Sequence, residues 1–138
     1  MTEDPLLAKL LETAAMLETR IEAALQEVGL SRAKLATLRQ LREAGAPVPL
    51  KTLAEGQGCV PSNMTTLIAR LENEGLVSRT PDPDDRRSVL ASLTPLGAER
   101  TDAGERVLEQ VHRAFAASLR PAERVALSRI LASLSRSI

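Results

Sequence analysis

A chain of 138 residues has room for one domain, and 43% hydrophobic residues can fill its core, but one Phe and no Trp or Tyr leave little of what strands favour. Formal net charge is zero, which excludes attachment to a partner by bulk charge, and a single cysteine, Cys59, excludes an intrachain disulfide. No apolar run nears the ~20 residues that span a bilayer, and residues 1–11 lack a cleavable signal pattern, so a cytoplasmic protein without membrane contact is expected.

Charge is unevenly spread along the chain. Residues 1–29 set Lys9 and Arg20 against six acids, a balance of −4. Residues 30–60 set Arg32, Lys34, Arg39, Arg42 and Lys51 against Glu43 and Glu55, a balance of +3. A local basic face, rather than a basic chain, is what a nucleic-acid binder needs.

The first helix starts at Asp4-Pro5, with Asp4 as cap and Pro5 at the first helical position. Leu7, Leu10, Leu11, Ala14, Leu17, Ile21, Leu25 and Val28 then form an apolar stripe that Gly29 ends. A stripe this long in so small a chain is expected to pack on something besides its own domain. Ser31 caps a second helix with Leu35, Leu38 and Leu41 inward, ending at Gly45, and Pro47 and Pro49 mark a connection. A short helix follows over Leu50–Glu55, stopped by Gly56-Gln57-Gly58. The next helix runs from Pro61 to Glu74, with Met64, Leu67, Ile68 and Leu71 in the spacing of one buried face and Gly75 as its terminator.

Leu76 to Thr80 is extended in character, Pro81-Asp82-Pro83-Asp84-Asp85 reads as a turn, and Val89 to Leu93 alternates with strand periodicity. Two short strands thus make a β-hairpin. Thr94-Pro95 opens a long helix to about Leu119, with Val107, Leu108, Val111, Phe115 and Leu119 on one side, and Pro121 opens a last helix with Val125, Ile130, Leu131, Leu134 and Ile138. The expected fold is mainly α with a small hairpin wing: a winged helix-turn-helix beside a helical dimerisation region.

The order short helix, turn, helix, hairpin suits a helix laid in a major groove. The free face of the helix over 61–74 carries Ser62, Asn63, Thr65, Thr66, Ala69 and Arg70. Asn63 and Thr66 can reach base edges and Arg70 a phosphate, whereas the bland reading is an ordinary solvated face. On the hairpin, Arg86 and Arg87 sit beside Asp84 and Asp85. An arginine pair held out on a wing suits a narrow minor groove, and a neighbouring carboxylate can orient one guanidinium by a bidentate pair. The bland reading here is a polar loop whose charges cancel.

Residues 50–94 resemble the DNA-binding lobe of the MarR family (multiple antibiotic resistance regulators). That family's wing reads Asp-x-Arg-x-x-x-Val-x-Leu-Thr. This chain has Asp85-Arg86-Arg87-Ser88-Val89-Leu90-Ala91-Ser92-Leu93-Thr94, then Gly97 after two intervening residues, with Ala91 replacing the valine. Upstream, Arg70-Leu71-Glu72-Asn73-Glu74-Gly75-Leu76-Val77-Ser78-Arg79 resembles the family's Arg-Leu-Glu-x-x-Gly-Leu-Val-x-Arg. One departure is Val60-Pro61 where the family often has a Ser or Thr cap.

The resemblance implies that Arg87 is the minor-groove wing arginine, Asp85 its orienting partner and Ser62 to Arg70 the recognition helix. With Lys51 and Arg86, the expected DNA-binding set is Lys51, Ser62, Asn63, Thr65, Thr66, Arg70, Arg86 and Arg87. It implies a single domain over 1–138, with a DNA-binding lobe over 30–97 and dimerisation helices over 5–29 and 98–138. It further implies a repressor that binds a pseudo-palindromic operator as a homodimer and responds to a small-molecule effector, in an aliphatic-lined pocket given the scarcity of aromatics.

Two other readings compete: a winged-helix protein-interaction module without DNA binding, and a thiol sensor using Cys59, for which a small residue packed in the turn is the plainer account. His112 and Cys59 are far apart and unaccompanied, so no metal or cofactor is expected. No phosphate loop or nucleophile elbow points to an enzyme, and Asp84-Asp85 in an exposed turn is a poor acid–base pair.

Overall fold

Helix α1 (Leu6–Gln26) carries the first apolar stripe, and the computed structural model, which describes residues 5–138, begins just ahead of it. The expected Asp4 cap lies outside the described residues, and Pro5 precedes the first helical residue instead of occupying it. Only the C-terminal half of the stripe finds cover within the chain. Leu25 is fully buried and Ile21 and Val28 pack on the core, while Leu7, Leu10 and Leu11 stay exposed.

Helix α2 (Arg32–Ala44) opens on Ser31, whose Oγ accepts from the Lys34 backbone N–H at 3.1 Å, and ends at Gly45. Leu35, Leu38 and Leu41 are buried, as their spacing requires. Strand β1 (Val48–Pro49) follows, then α3 (Leu50–Gly56), α4 (Pro61–Asn73), β2 (Val77–Asp82), β3 (Asp85–Leu93), α5 (Pro95–Ala117) and α6 (Pro121–Ser137).

The sheet corrects the sequence reading in two places. It has three strands in the order β1-β3-β2, both pairings antiparallel. The extra strand lies in the stretch expected to be only a connection, where Val48 pairs with Ala91 and Pro49 with Leu90. Two residues beside prolines carry no periodicity of their own, and it is β3 that holds them extended. The turn is also tighter than expected, because β2 runs through Pro81 to Asp82 and β3 begins at Asp85, leaving Pro83-Asp84 to reverse the chain.

Leu25, Leu35, Leu38, Leu53, Met64, Ile68, Leu71 and Leu76 form the centre of one core shared by α1, α2, α3, α4 and the strand after α4. Leu67, expected in that buried set, is only half-buried, because it borders a cavity described below. Thr94 locks the base of the hairpin to α5. Its Oγ accepts from Gly97 N at 2.9 Å and donates to Gly75 O at 2.7 Å, while its backbone N–H donates to Leu76 O at 3.1 Å.

An ion cluster joins α2 to α5. Arg39 donates through Nε and Nη2 to the two carboxylate oxygens of Glu105, and Arg42 reaches Asp102 at 2.7 Å and Glu105 at 3.5 Å. The hydrogen-bonded Arg39 guanidinium holds the Glu105 carboxyl below the usual carboxylate range, against a smaller opposing effect of burial and with further help from Arg42. A carboxyl so depressed stabilises the fold above its unfolded pKa of roughly 4.3, and that contribution disappears as pH falls through the lower folded value. Both partners are about a third or more exposed, so Glu105→Gln should cost only ~0.5–1 kcal/mol at pH 7. Urea unfolding of the variant and the parent should converge as pH falls through the lowered folded value and the parent's carboxyl becomes protonated as well; a gap that persists below it would assign the loss to packing instead.

Candidate nucleic-acid interface

Helix α4 starts without a side-chain cap: Val60 is extended, Pro61 takes the first turn, and Asn63 N and Met64 N both donate to Val60 O, at 3.1 and 3.2 Å. The sequence departure at Val60-Pro61 therefore leaves the helix start where expected but unsupported from its own cap. Met64, Ile68 and Leu71 bury one face, which turns Ser62, Asn63, Thr65, Thr66 and Arg70 to the exterior, all exposed, with Ala69 half-buried between faces. The Thr65 and Thr66 hydroxyls donate back to Pro61 O and Ser62 O, each at 3.1 Å. That spends their protons within the helix and presents acceptor lone pairs and methyl groups outward.

The helix does not stand alone. Lys51 and Thr52 of α3, Thr65 of α4, and Asp85, Arg87 and Ser88 of β3 border one groove of about 520 Å³. Residues from the helix pair and from the wing, 36 positions apart between Lys51 and Arg87, thus meet on a common surface.

The wing holds its arginines out by an irregular strand. Pro81 pairs with Val89, but the next β2 residue, Asp82, pairs with Asp85, so Arg86, Arg87 and Ser88 lie in a bulge with no partner on β2. A bulge bends a strand and re-aims its side chains. Asp85 does not make the expected pair with a guanidinium. Its Oδ1 accepts the Arg87 backbone N–H at 2.9 Å, and Asp82 accepts the Asp84 backbone N–H at the same distance. Two of the wing's three carboxylates are thus engaged in shaping the backbone. Among the described residues neither Arg86 nor Arg87 makes an ion pair, nor do Lys51 and Arg70. The loop's two guanidinium groups are thus left unpaired, although its three carboxylates outnumber them.

Helix and wing are fixed to each other by a contact not singled out from sequence. Glu72, in the last turn of α4, accepts from the Arg79 backbone N–H at 3.2 Å, Nε at 3.1 Å and Nη2 at 2.9 Å. Those bonds hold the Glu72 carboxyl below the usual carboxylate range. The pair is i,i+7 across a helix end, a turn and a strand, so no single periodicity exposes it. A Glu in the last helical turn, a Gly stop and an Arg on the next strand would be the signal.

On the other side of the helix-turn-helix lies an open cavity of about 660 Å³. Ile21, Leu25, Leu35, Leu67 and Leu108 give it an aliphatic wall, and Arg39, Gln57, Cys59 and His112 a polar one. Cys59 is half-buried, with its thiol directed to Val60 O at 3.3 Å. Among the described residues no group of His, Cys, Asp and Glu is arranged to hold a metal ion.

The sequence profile of the MarR family matches residues 30–89, the stretch from the start of α2 to the wing bulge. The chain belongs to the MarR family. An HTH-type transcriptional regulator of Mycobacterium bovis is 36% identical to this MarR chain over 94 residues, 68% of the chain and 65% of that relative. The chain spans from about half to seven-tenths of the length of the curated relatives it matches. A MarR-like regulator structure from Bacillus cereus superposes with a TM-score of 0.84 at 24% identity, covering 96% of the chain and 95% of that structure. A cysteine-to-serine variant of Escherichia coli MarR in complex with operator DNA gives 0.76 at 22% identity, covering 94% and 93%. At those identities the two structures establish the MarR winged-helix fold. The chain is a transcriptional regulator of that family.

Proposed function

We propose that this MarR protein binds duplex DNA as a homodimer, placing α4 in a major groove and the wing in the adjacent minor groove, and represses transcription from the site. The observation that carries the reading is the shared surface of α3, α4 and the wing, on which Lys51 and Arg87 meet without an ionic partner among the described residues, with Arg70 and Arg86, equally unpaired, exposed outside that groove. Ser62, Asn63, Thr65 and Thr66 supply the short polar face that base edges require. That the E. coli neighbour of the same fold is a complex with operator DNA supports DNA as the partner.

Dimerisation is supported by apolar surface with no cover in one chain. Leu7 and Leu11 of α1 are 68% and 60% exposed, and Val125, Ile130 and Leu131 of α6 are 59%, 60% and 45% exposed. On this reading α1, α5 and α6 join two copies, and the lobe over 30–97 projects from each. The cavity between α1, α2 and α5 is the place for a small effector, which would shift the spacing of the two recognition helices. The protein acts in the cytoplasm.

Selection of bound sequences from random duplex DNA tests the reading. Two-fold related half-sites about 10 bp apart should be enriched, with affinity that falls steeply as salt rises. No enrichment together with salt-independent retention would leave a protein-interaction module as the better account.

A further inference from the structure

We propose that Gln57 is a positioning residue for DNA recognition: it pins the turn before α4, and with it α4, to α2. The proposal rests on the DNA-binding reading above.

The start of α4 has no cap of its own, so its direction must be set by the turn that delivers it. That turn is closed onto α3 by Cys59 N donating to Ala54 O at 2.9 Å and Gly58 N to Glu55 O at 3.3 Å, with Gly58 at φ +60°, a left-handed conformation that glycine adopts without strain. These bonds are local and tie the turn only to the helix before it. Gln57 makes the link to α2. Its Nε2 donates to Thr37 Oγ1 at 3.0 Å and to Gln40 Oε1 at 3.3 Å, and Gln40 Nε2 in turn reaches Thr52 O of α3 at 3.4 Å. The Thr37 hydroxyl is fully buried and donates to Ala33 O at 3.0 Å, so Gln57 fills its acceptor side.

Gly56 makes room for this arrangement: a Cβ there would stand 2.6 Å from Gln40 Nε2. Thr37 is fully buried, and a hydrogen bond lost to a buried hydroxyl costs more than a surface one. Gln57 is half-buried and touches no part of the DNA-facing groove, so its influence on DNA acts through the placement of α4.

Gln57→Leu and Thr37→Val each remove the bond with little change of volume. On the duplex enriched by selection, each should lower affinity about tenfold, the worth of one well-placed hydrogen bond, while binding to unrelated duplex stays within about twofold. The double variant should lose no more than either single one, and Thr37→Ser, which keeps the hydroxyl, should bind as the parent does. Amide exchange should speed up over residues 57–66 in both single variants and stay unchanged elsewhere. Equal losses on both duplexes, additive losses, no loss at all, or faster exchange spread over the whole chain would each overturn the proposal. If the parent prefers no duplex, the DNA reading fails by itself, and the exchange pattern still decides whether Gln57 pins the turn.

Discussion

Gly97→Ala should destabilise the protein by about 3 kcal/mol, enough to lower its melting temperature by roughly 10 °C. Helix propensity alone predicts the reverse, since alanine favours a helix over glycine by ~1 kcal/mol. Packing decides the sign. A Cβ on Gly97 would lie 2.1 Å from Leu76 O and 2.7 Å from Leu93 Cδ1. The first of these atoms is backbone and cannot rotate away. The same carbonyl accepts the Thr94 N–H, and Gly97 N itself donates to Thr94 Oγ1, so any retreat of α5 breaks the junction between wing and helix. Gly104→Ala is the control. Its Cβ would meet only the side chains of Leu30 and Leu35, which can shift, so its cost should be smaller. Urea unfolding of both variants checks the pair, and a Gly97→Ala protein as stable as the parent would refute the close approach.

Arg87→Ala should weaken operator binding by about 1–3 kcal/mol and reduce the salt dependence by about one phosphate contact or its equivalent. The side chain is exposed, sits in the β3 bulge, and makes no ion pair among the described residues, so its removal should leave the melting temperature unchanged. This separation of binding from stability distinguishes a wing that enters DNA from one that only caps the sheet. Unchanged affinity and salt slope on a selected operator would rule out the wing contact. Asp85 should behave differently. It holds the Arg87 backbone rather than its guanidinium, so Asp85→Ala is expected to loosen the bulge and affect Arg86 and Arg87 together.

What could be read from the sequence was whatever is set locally. Met64, Ile68 and Leu71 recur at helical spacing and are buried, and Ser31 and Thr94 cap the helices they precede. The wing arginines and the outward residues of α4 followed from the same periodicities and from the resemblance to a family. What could not be read depends on pairs distant in the chain. Val48-Pro49 is a strand only because β3 lies beside it. The bulge at Arg86 to Ser88 is a mismatch of register between two strands, and neither strand shows it separately. The resemblance pairs Asp85 with the Arg87 guanidinium, whereas its carboxylate takes the backbone N–H of that residue. The bonds of Gln57 to Thr37 cross 20 positions and leave no pattern in either segment.

The two outer strands of the sheet each carry a proline, Pro49 in β1 and Pro81 in β2. An open strand edge is a template on which another chain can add a strand, and proline blunts it by offering no N–H to donate. The wing can therefore project into solvent without inviting the edge-to-edge joining that leads to strand exchange or fibrous aggregates. In the proposed dimer, self-association falls to the exposed apolar faces of α1 and α6 rather than to a sheet that could lengthen without limit.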